Sequence, residues 1–306
     1  MMNILIAGGT GFIGSELVDS LRSDHQITVL GRDNNHIQDV FGKRVQACTW
    51  QDLEHLDASR YDVVINLCGQ SIAGLRWTEH IKKQIIESRV KTNTALIKWL
   101  TDHQCKPHYY SANAVGIYGL QENGTSQAFD EDSPIDFDHP HDFFSEVGVR
   151  WQKSLQPAID HGIPVTITRF GVVLKHGKGM LKKLAPSFNL GLGSIIGDGQ
   201  QVISWIHIAD VIRAFHFLIT HPELIGAFNV TSPNPVSQKE FATLLAKAMK
   251  RPLFLKTPAF VIRLLFGEMG ECLLNHGQRV LPKRLPEEGF KFAYPTLKEA
   301  LAREFS

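Results

Sequence analysis

Asn3-Ile-Leu-Ile-Ala-Gly8-Gly9-Thr10-Gly11-Phe12-Ile13-Gly14 is the stretch on which the fold turns. Its first five residues form a short apolar run, as a buried strand requires. Ile13, Leu17 and Leu21 then recur at four-residue spacing, on one face of a helix. Between them the glycines satisfy G-x-G-x-x-G from Gly9 and G-x-x-G-x-x-G from Gly8. One glycine permits the tight turn, one lets the backbone approach a pyrophosphate, and one lets the helix pack on the strand. The helix start offers free N–H groups and partial positive charge to phosphate oxygens. A glycine triplet alone says little, but strand, turn and helix together predict dinucleotide binding. The expected contacts are Gly8, Thr10, Gly11, Phe12, Ile13 and Gly14.

Outward from this loop the pattern repeats. Gln26–Leu30 reads as a second strand, and Asp62–Leu67 as another, apolar and β-branched like a strand buried on both faces. A helical segment runs from about Thr78 to Leu100, and His108–Ser111 and Pro164–Leu174 supply further strands. Alternation of this kind predicts an α/β fold, a Rossmann-like doubly wound parallel sheet. Residues 175–201 are rich in Gly and Lys with little periodicity, and Lys175–Lys183 reads as a mobile loop. Val211, Ala214, Phe215, Leu218 and Ile219 mark an amphipathic helix, and Ser237-Gln-Lys-Glu240 a capping box before another. The expected division is a nucleotide-binding domain over 1–174, completed by a helix near 205–221, and a smaller C-terminal substrate lobe over 175–204 and 222–306.

The end of the second strand discriminates cofactors. An acidic residue there suits the ribose hydroxyl of NAD, and an arginine suits the 2′-phosphate of NADP. Leu30-Gly-Arg32-Asp33 places the arginine first, which favours NADP, while the adjacent Asp33 leaves NAD open.

Composition bounds the rest. The chain has 306 residues, 43% hydrophobic and 21% charged, with a net charge of +1. That balance argues against disorder and supplies no overall field for nucleic acid or an anionic membrane, although it allows a local basic patch. No apolar run approaches the length of a membrane span, and no secretory signal precedes the first strand, so a cytoplasmic protein with no membrane partner is expected. Cys48, Cys68, Cys105 and Cys272 form no C-x-x-C pair and read as free thiols of a reducing compartment.

Along its length the chain resembles the extended short-chain dehydrogenase/reductases of the NAD-dependent epimerase/dehydratase type. More narrowly, it resembles the uncharacterised epimerase-like family that ends in a C-terminal domain of unknown function. The carriers are Gly8–Gly14, Asn66-Leu-Cys-Gly69, Arg76-Trp-Thr78 with Ser88-Arg-Val-Lys-Thr92, and Ser111-Ala-Asn-Ala-Val-Gly-Ile-Tyr-Gly119. Further carriers are Arg169-Phe-Gly171, Trp205-Ile-His-Ile-Ala-Asp-Val211 and the tail from Arg279 to Pro295. The resemblance implies that Leu67, Cys68, Gly69 and Arg169 also touch the cofactor.

In that group a Tyr-x-x-x-Lys pair on one helix face exchanges protons with a substrate hydroxyl, the lysine lowering the tyrosine pKa. Anchored on Trp151-Gln152, those positions fall here on Phe144 and Gly148. Neither residue can carry a proton. Ser111, Tyr118 and Glu131 are the remaining candidates for catalysis. Arg76 and Trp77, beyond a strand end, are candidates to clamp an anion and stack on a ring, and Asn113 to touch substrate. Lys82, Lys83, Arg89 and Lys91 read as a solvated basic face. Two histidines among three aspartates in Asp136–Asp142 lack the spacing of a metal site, and none is expected. His207 reads as a structural cap. Two functions remain: an NADP-dependent oxidoreductase or epimerase-like protein acting on a small polar substrate such as a nucleotide sugar, with a non-standard acid/base group; or a non-catalytic NADPH-binding redox-sensing module that signals to a protein partner.

Overall fold

Strand and helix alternate from the start of the chain in the computed structural model, which describes residues 1–74 and 76–306. The order is β1 (Asn3–Ala7), α1 (Phe12–Leu21), β2 (Gln26–Gly31), α2 (Asn34–Phe41), β3 (Gln46–Thr49) and β4 (Val63–Asn66). It continues with α3 (Glu79–Asp102), β5 (His108–Ala114), α4 (Phe143–Lys153), α5 (Gln156–Asp160), β6 (Val165–Phe170) and β7 (Val172–Leu174). Then come α6 (Gly179–Asn189), β8 (Ser194–Ile196), β9 (Val202–Ile203), β10 (Trp205–His207), α7 (Ile208–Thr220) and β11 (Gly226–Val230). The chain closes with β12 (Val236–Ser237), α8 (Gln238–Ala248), β13 (Leu255–Thr257), α9 (Ala259–Gly270), α10 (Arg284–Glu287) and α11 (Leu297–Phe305).

Seven strands form one sheet in the order β11-β6-β5-β4-β1-β2-β3, and every pairing in it is parallel. This is the Rossmann-like doubly wound sheet that the alternation predicts. Side-chain period sorts the layers. Ile4 and Ile6 of β1 join a core with α1 and α7, while Leu5 and Ala7 join a second core with α3 and α5. β5 shows the same division in its hydroxyls. Tyr110 donates to the Leu218 carbonyl of α7 at 2.9 Å, and Tyr109 donates to Asn93 Oδ1 of α3 at 2.8 Å.

The second lobe has its own core, built from Leu181 and Phe188 of α6, Phe241 and Leu245 of α8, and Leu297 and Leu301 of α11 around Trp205. Its boundary differs from the expected one, because β11 lies inside 222–306 yet forms an edge of the main sheet. The loop expected over 175–183 turns helical at Gly179, where α6 begins and goes on to bury Leu181 and Phe188. The single strand expected over Pro164–Leu174 breaks at Gly171, where a Cβ would lie 2.7 Å from the Ser204 carbonyl oxygen. At α8 half of the capping box forms, with the Ser237 hydroxyl accepting from the Glu240 N–H at 3.2 Å. β3 gave no periodic signal, since its four residues expose Gln46 and bury only Cys48.

Candidate functional site

The glycine loop runs from the end of β1 into α1 at the C-terminal edge of the sheet. Gly8 has φ +78°, and a Cβ there would lie 3.0 Å from the Cys68 nitrogen and the Leu67 carbonyl carbon. The loop therefore sits directly beside the segment that follows β4. Gly14 is more confined still: a Cβ would lie 2.3 Å from the Gly8 carbonyl oxygen. That contact lets α1 start tight against the turn, and the Gly11 N–H donates to the same carbonyl at 3.0 Å. Gly11 caps α1 without a side-chain acceptor, so the first-turn N–H groups of Phe12, Ile13 and Gly14 point to a ligand or to solvent. Thr10 lies on the rim of this turn, half-buried. The six glycine-loop residues named from the sequence thus meet at one turn, with the uncapped N-terminus of α1 at its mouth.

Arg32 and Asp33 follow β2, both exposed. Asp33 is committed: its carboxylate caps α2, accepting from the N–H groups of Asn35 (2.8 Å) and His36 (3.4 Å). Arg32 is free of that role. Burial pushes the Cys68 thiol up to about 12, and the Arg32 charge acts against that rise, which puts the guanidinium within electrostatic reach of the segment after β4. Leu67, Cys68 and Gly69 form the opposite wall of the crevice, with Cys68 a neutral thiol rather than a reactive one.

At the expected dyad positions the structure shows packing in place of chemistry. Residues Val115–Tyr118 form a 3-10 turn that presses on α4. A Cβ on Gly148 would lie 2.6 Å from Ile117 Cβ and 2.7 Å from its Cα. A Cβ on Gly116 would lie 3.0 Å from Phe144 Cβ. Glycine on each segment thus receives a side chain from the other, and the place of the lysine is filled by Ile117.

The proposed substitutes are engaged elsewhere. Ser111 is fully buried, its hydroxyl donating to the Ala112 carbonyl at 3.1 Å and accepting from Asn93 Nδ2 at 3.5 Å. Asn113, on the same strand face, is equally buried and donates to the Gly148 carbonyl at 3.1 Å, tying β5 to α4 rather than reaching substrate. Tyr118 donates to Asn229 Oδ1 at 3.0 Å and accepts from Arg169 Nη1 at 2.7 Å. Burial raises its pKa, with the nearby Arg169 charge opposing the rise. Arg169 spends its other terminal nitrogen on Gln152 Oε1 at 3.0 Å, so it braces β6 against α4 and is not a cofactor contact in this geometry. Glu131 accepts backbone N–H groups of Asn229 (2.8 Å) and Lys283 (2.9 Å), fastening the long loop before α4 to β11 and the tail. Burial raises its pKa and those N–H groups oppose the rise. All three catalytic candidates thus take part in hydrogen bonds that tie the fold together.

Trp77 is also corrected. Its indole N–H donates to the Ile72 carbonyl at 2.9 Å, and its ring meets Phe143 and Phe144 edge-on at centroid distances of 4.6 and 5.5 Å. With Met269 near the end of α9 and Cys272 and Leu273 after it, these rings build an apolar wall at the start of α4. Arg76 is exposed, and its Nε lies 3.0 Å from where a Cβ on Gly267 would sit. The solvated basic face splits as well. Lys83 and Lys91 are exposed and pair with Glu87, and Lys82 pairs with Glu268 at 2.7 Å. Arg89 is half-buried instead. It donates to the Ile85 carbonyl at 2.8 Å, lies over the Trp151 ring at 4.9 Å and abuts Gly69, with Nε unpartnered. Burial brings its pKa down to about 10, which leaves it a cation at neutral pH. In sequence nothing set Arg89 apart from its lysine neighbours, although i, i+7 spacing puts it on the face of the half-buried Lys82 and away from the exposed Lys83 and Lys91.

His207 caps α7 as expected, accepting from the Ala209 N–H at 3.2 Å and meeting Glu304 at 2.8 Å. Asp136 accepts the N–H groups of Asp138 and His139, a local turn. A cavity of about 410 Å³ opens at the other edge of the sheet, beside His25, Lys43, Arg44, Arg60 and Tyr61, away from the glycine loop.

With this geometry in place, comparison with known proteins gives consistent findings. Residues 4–231 match the model of the NAD dependent epimerase/dehydratase family, and 257–304 match a domain of unknown function (DUF1731). The chain is 36% identical over 309 residues to Epimerase family protein YfhF of Bacillus subtilis, covering 99% of this chain and 97% of that one. Among solved structures it is similar to the human epimerase family protein SDR39U1 crystallised with NADPH, at TM-score 0.87 and 30% identity, covering 99% of both chains. A nucleoside-diphosphate sugar epimerase from Corynebacterium glutamicum matches at TM-score 0.77 and 26% identity, over 99% of this chain and 58% of that one.

Proposed function

The chain belongs to the NAD dependent epimerase/dehydratase family, and from that premise we propose that it binds NADP in the glycine crevice and acts on a small polar molecule in the adjoining cleft. The observation that carries this reading is the crevice itself. Gly8 and Gly14 leave no room for side chains, and the first turn of α1 is uncapped. The same residues fit a dinucleotide: α1 N–H groups for the pyrophosphate, the 67–69 segment for a ribose, and Arg32 for a 2′-phosphate while Asp33 caps α2. The human relative crystallised with NADPH supports that choice. Bound there, the nicotinamide supplies or takes the hydride.

The chain's own residues hold and shield. The aromatic wall of Trp77, Phe143 and Phe144 excludes water from one side of the cleft. Arg89, under Gly69, adds a fixed positive charge and orients groups that carry negative charge. The relative described as a nucleoside-diphosphate sugar epimerase supports a nucleotide sugar as the substrate class.

A second reading has its own observation. Ser111, Tyr118 and Glu131 are all bonded away from the cleft, which favours a protein that binds NADPH and signals its redox state without turnover. Fluorescence titration with NADPH and NADH separates these readings from failure of both. NADPH is expected to bind more tightly, and Arg32→Ala to erase the preference by about ten-fold or more, the loss of a charge-assisted pair. No binding of either nucleotide refutes both readings. Binding followed by cofactor turnover on a nucleotide-sugar panel supports the enzyme, and binding without turnover supports the sensor.

A further inference from the structure

The second lobe carries an apolar face that its own core does not use. A surface helix normally hides its apolar stripe against the core. α9 hides little beyond Ile262 and Gly270, while Phe260 is 70% exposed, Leu264 73% and Leu265 61%. The neighbouring Phe254 is 85% exposed and Leu190 75%, with Leu192 beside it. These residues form one surface. β13 pairs with β8, placing Leu255 opposite Ser194. A Cβ on Gly191 would lie 3.7 Å from Pro252, and one on Gly197 3.7 Å from Ala259. Scattered apolar residues are ordinary on a surface, whereas a contiguous cluster of phenylalanine and leucine marks an interaction site.

Charge identifies the occupant. Lys247, Lys250, Arg251, Lys256 and Arg263 are exposed, and residues 247–265 contain no carboxylate. Lys182 and Lys183 of α6 are exposed on the same lobe. The whole chain carries only +1, so this basic character is local. The carboxylate that follows, Glu268, lies beyond the kink at Gly267 and is paired with Lys82 at 2.7 Å.

We propose that this face docks on an anionic lipid surface. Phenylalanine and leucine enter the boundary between headgroups and acyl chains, and the lysines and arginines meet the headgroup charge. A second copy of the chain is the poorer occupant, because a two-fold contact sets the same cations against themselves. No described helix is long and apolar enough to cross a membrane, so the protein lies on the surface rather than spanning it. The absence of membrane partners expected from the sequence rested on spanning segments and on net charge, and a local apolar and basic face of folded origin escapes both.

Co-sedimentation of the full chain, with NADPH present, tests the proposal. One set of vesicles is phosphatidylcholine alone, and the other is equal parts phosphatidylcholine and phosphatidylglycerol. The protein is expected to sediment with the second set only and to be released by raised salt. Lys256→Gln and Arg263→Gln should each weaken partitioning by about five-fold. Phe260→Ser with Leu264→Ser should abolish it, while the melting temperature and NADPH affinity stay at the parent values. Failure to sediment with phosphatidylglycerol, or equal binding to both vesicle types, overturns the proposal. So does a dimer in sedimentation velocity that Phe260→Ser with Leu264→Ser dissolves, which would assign the face to a second copy.

Discussion

Gly148→Ala adds one methyl group at the position where related enzymes keep their lysine, and its effect follows from two distances. The new Cβ would lie 2.6 Å from Ile117 Cβ and 2.7 Å from Ile117 Cα. A side-chain tip can turn aside, but Cα cannot move without displacing the 3-10 turn at Val115–Tyr118 from α4. Overpacking of a tight contact costs about 1–3 kcal/mol, and a backbone contact belongs at the upper end. Unfolding entropy of about 2.1 cal/mol/K per residue gives roughly 0.6 kcal/mol/K for a chain of this size, so about 3 kcal/mol lowers Tm by roughly 5 °C. Calorimetric melting reads this directly. Ile117→Gly in the same molecule removes the nearest side-chain atom, and the double variant should melt above the sum of the two losses, with a coupling of about 1–2 kcal/mol. Two results refute the reasoning. One is a Gly148→Ala variant that melts within a degree of the parent. The other is a folded Phe144→Tyr/Gly148→Lys variant that gains turnover, because it would mean that the lysine site is open.

Other consequences are checked more briefly. Gly14→Ala places a Cβ 2.3 Å from the Gly8 carbonyl oxygen and should abolish NADPH binding in a fluorescence titration, with a loss of stability beside it. His108 is buried against Tyr110 and Thr166, and burial brings its pKa down to about 4. The unfolded chain, near 6.5, binds the proton first, so stability falls as pH drops from about 6.5 to 4. The loss is about 3 kcal/mol, and His108→Gln should flatten that part of a denaturation-versus-pH curve. Glu131→Ala strips the acceptor from the N–H groups of Asn229 and Lys283. It should lower stability by about 2–4 kcal/mol while NADPH affinity per folded molecule holds; a collapse of affinity with unchanged stability would return Glu131 to the cleft.

What could be read in the sequence was what local pattern determines. The glycine loop was fully legible, since only glycine tolerates the contacts at Gly8 and Gly14, and β1, β2 and β4 announce themselves by apolar runs between turns. The position of Arg32 after β2 was legible, whereas the capping of α2 by Asp33 showed only in the structure. β3 was missed because four half-exposed residues carry no period. β11 was assigned to the wrong lobe because nothing in Gly226–Val230 states which sheet edge it completes. The catalytic candidates failed for a related reason. Ser111, Tyr118 and Glu131 have the right chemistry near a strand end, but the sequence does not say that Asn93, Asn229, Arg169 and Lys283 already consume their hydrogen-bonding capacity. Saturation of a polar group is a tertiary property.

Arg89 carries this argument furthest. It is bonded to a carbonyl, stacked on Trp151 and unpartnered at Nε. Arg169 is likewise held by neutral groups, Tyr118 and Gln152. A buried cation without a carboxylate is a poor stabiliser, since desolvation is not repaid by an opposite charge. Both arginines flank α4, which carries Phe144 and Gly148 at the dyad positions, and Arg89 sets its positive charge beside Gly69. A fold retains such a group when a ligand completes it. Arg89→Met, which preserves the stem and its contact with Trp151, should therefore leave Tm unchanged or raise it, while weakening NADPH or a nucleotide sugar by about ten-fold. Titration and melting on the same preparation decide the matter. A variant that melts lower and binds as tightly as the parent would make Arg89 a packing residue and remove the charge from the site.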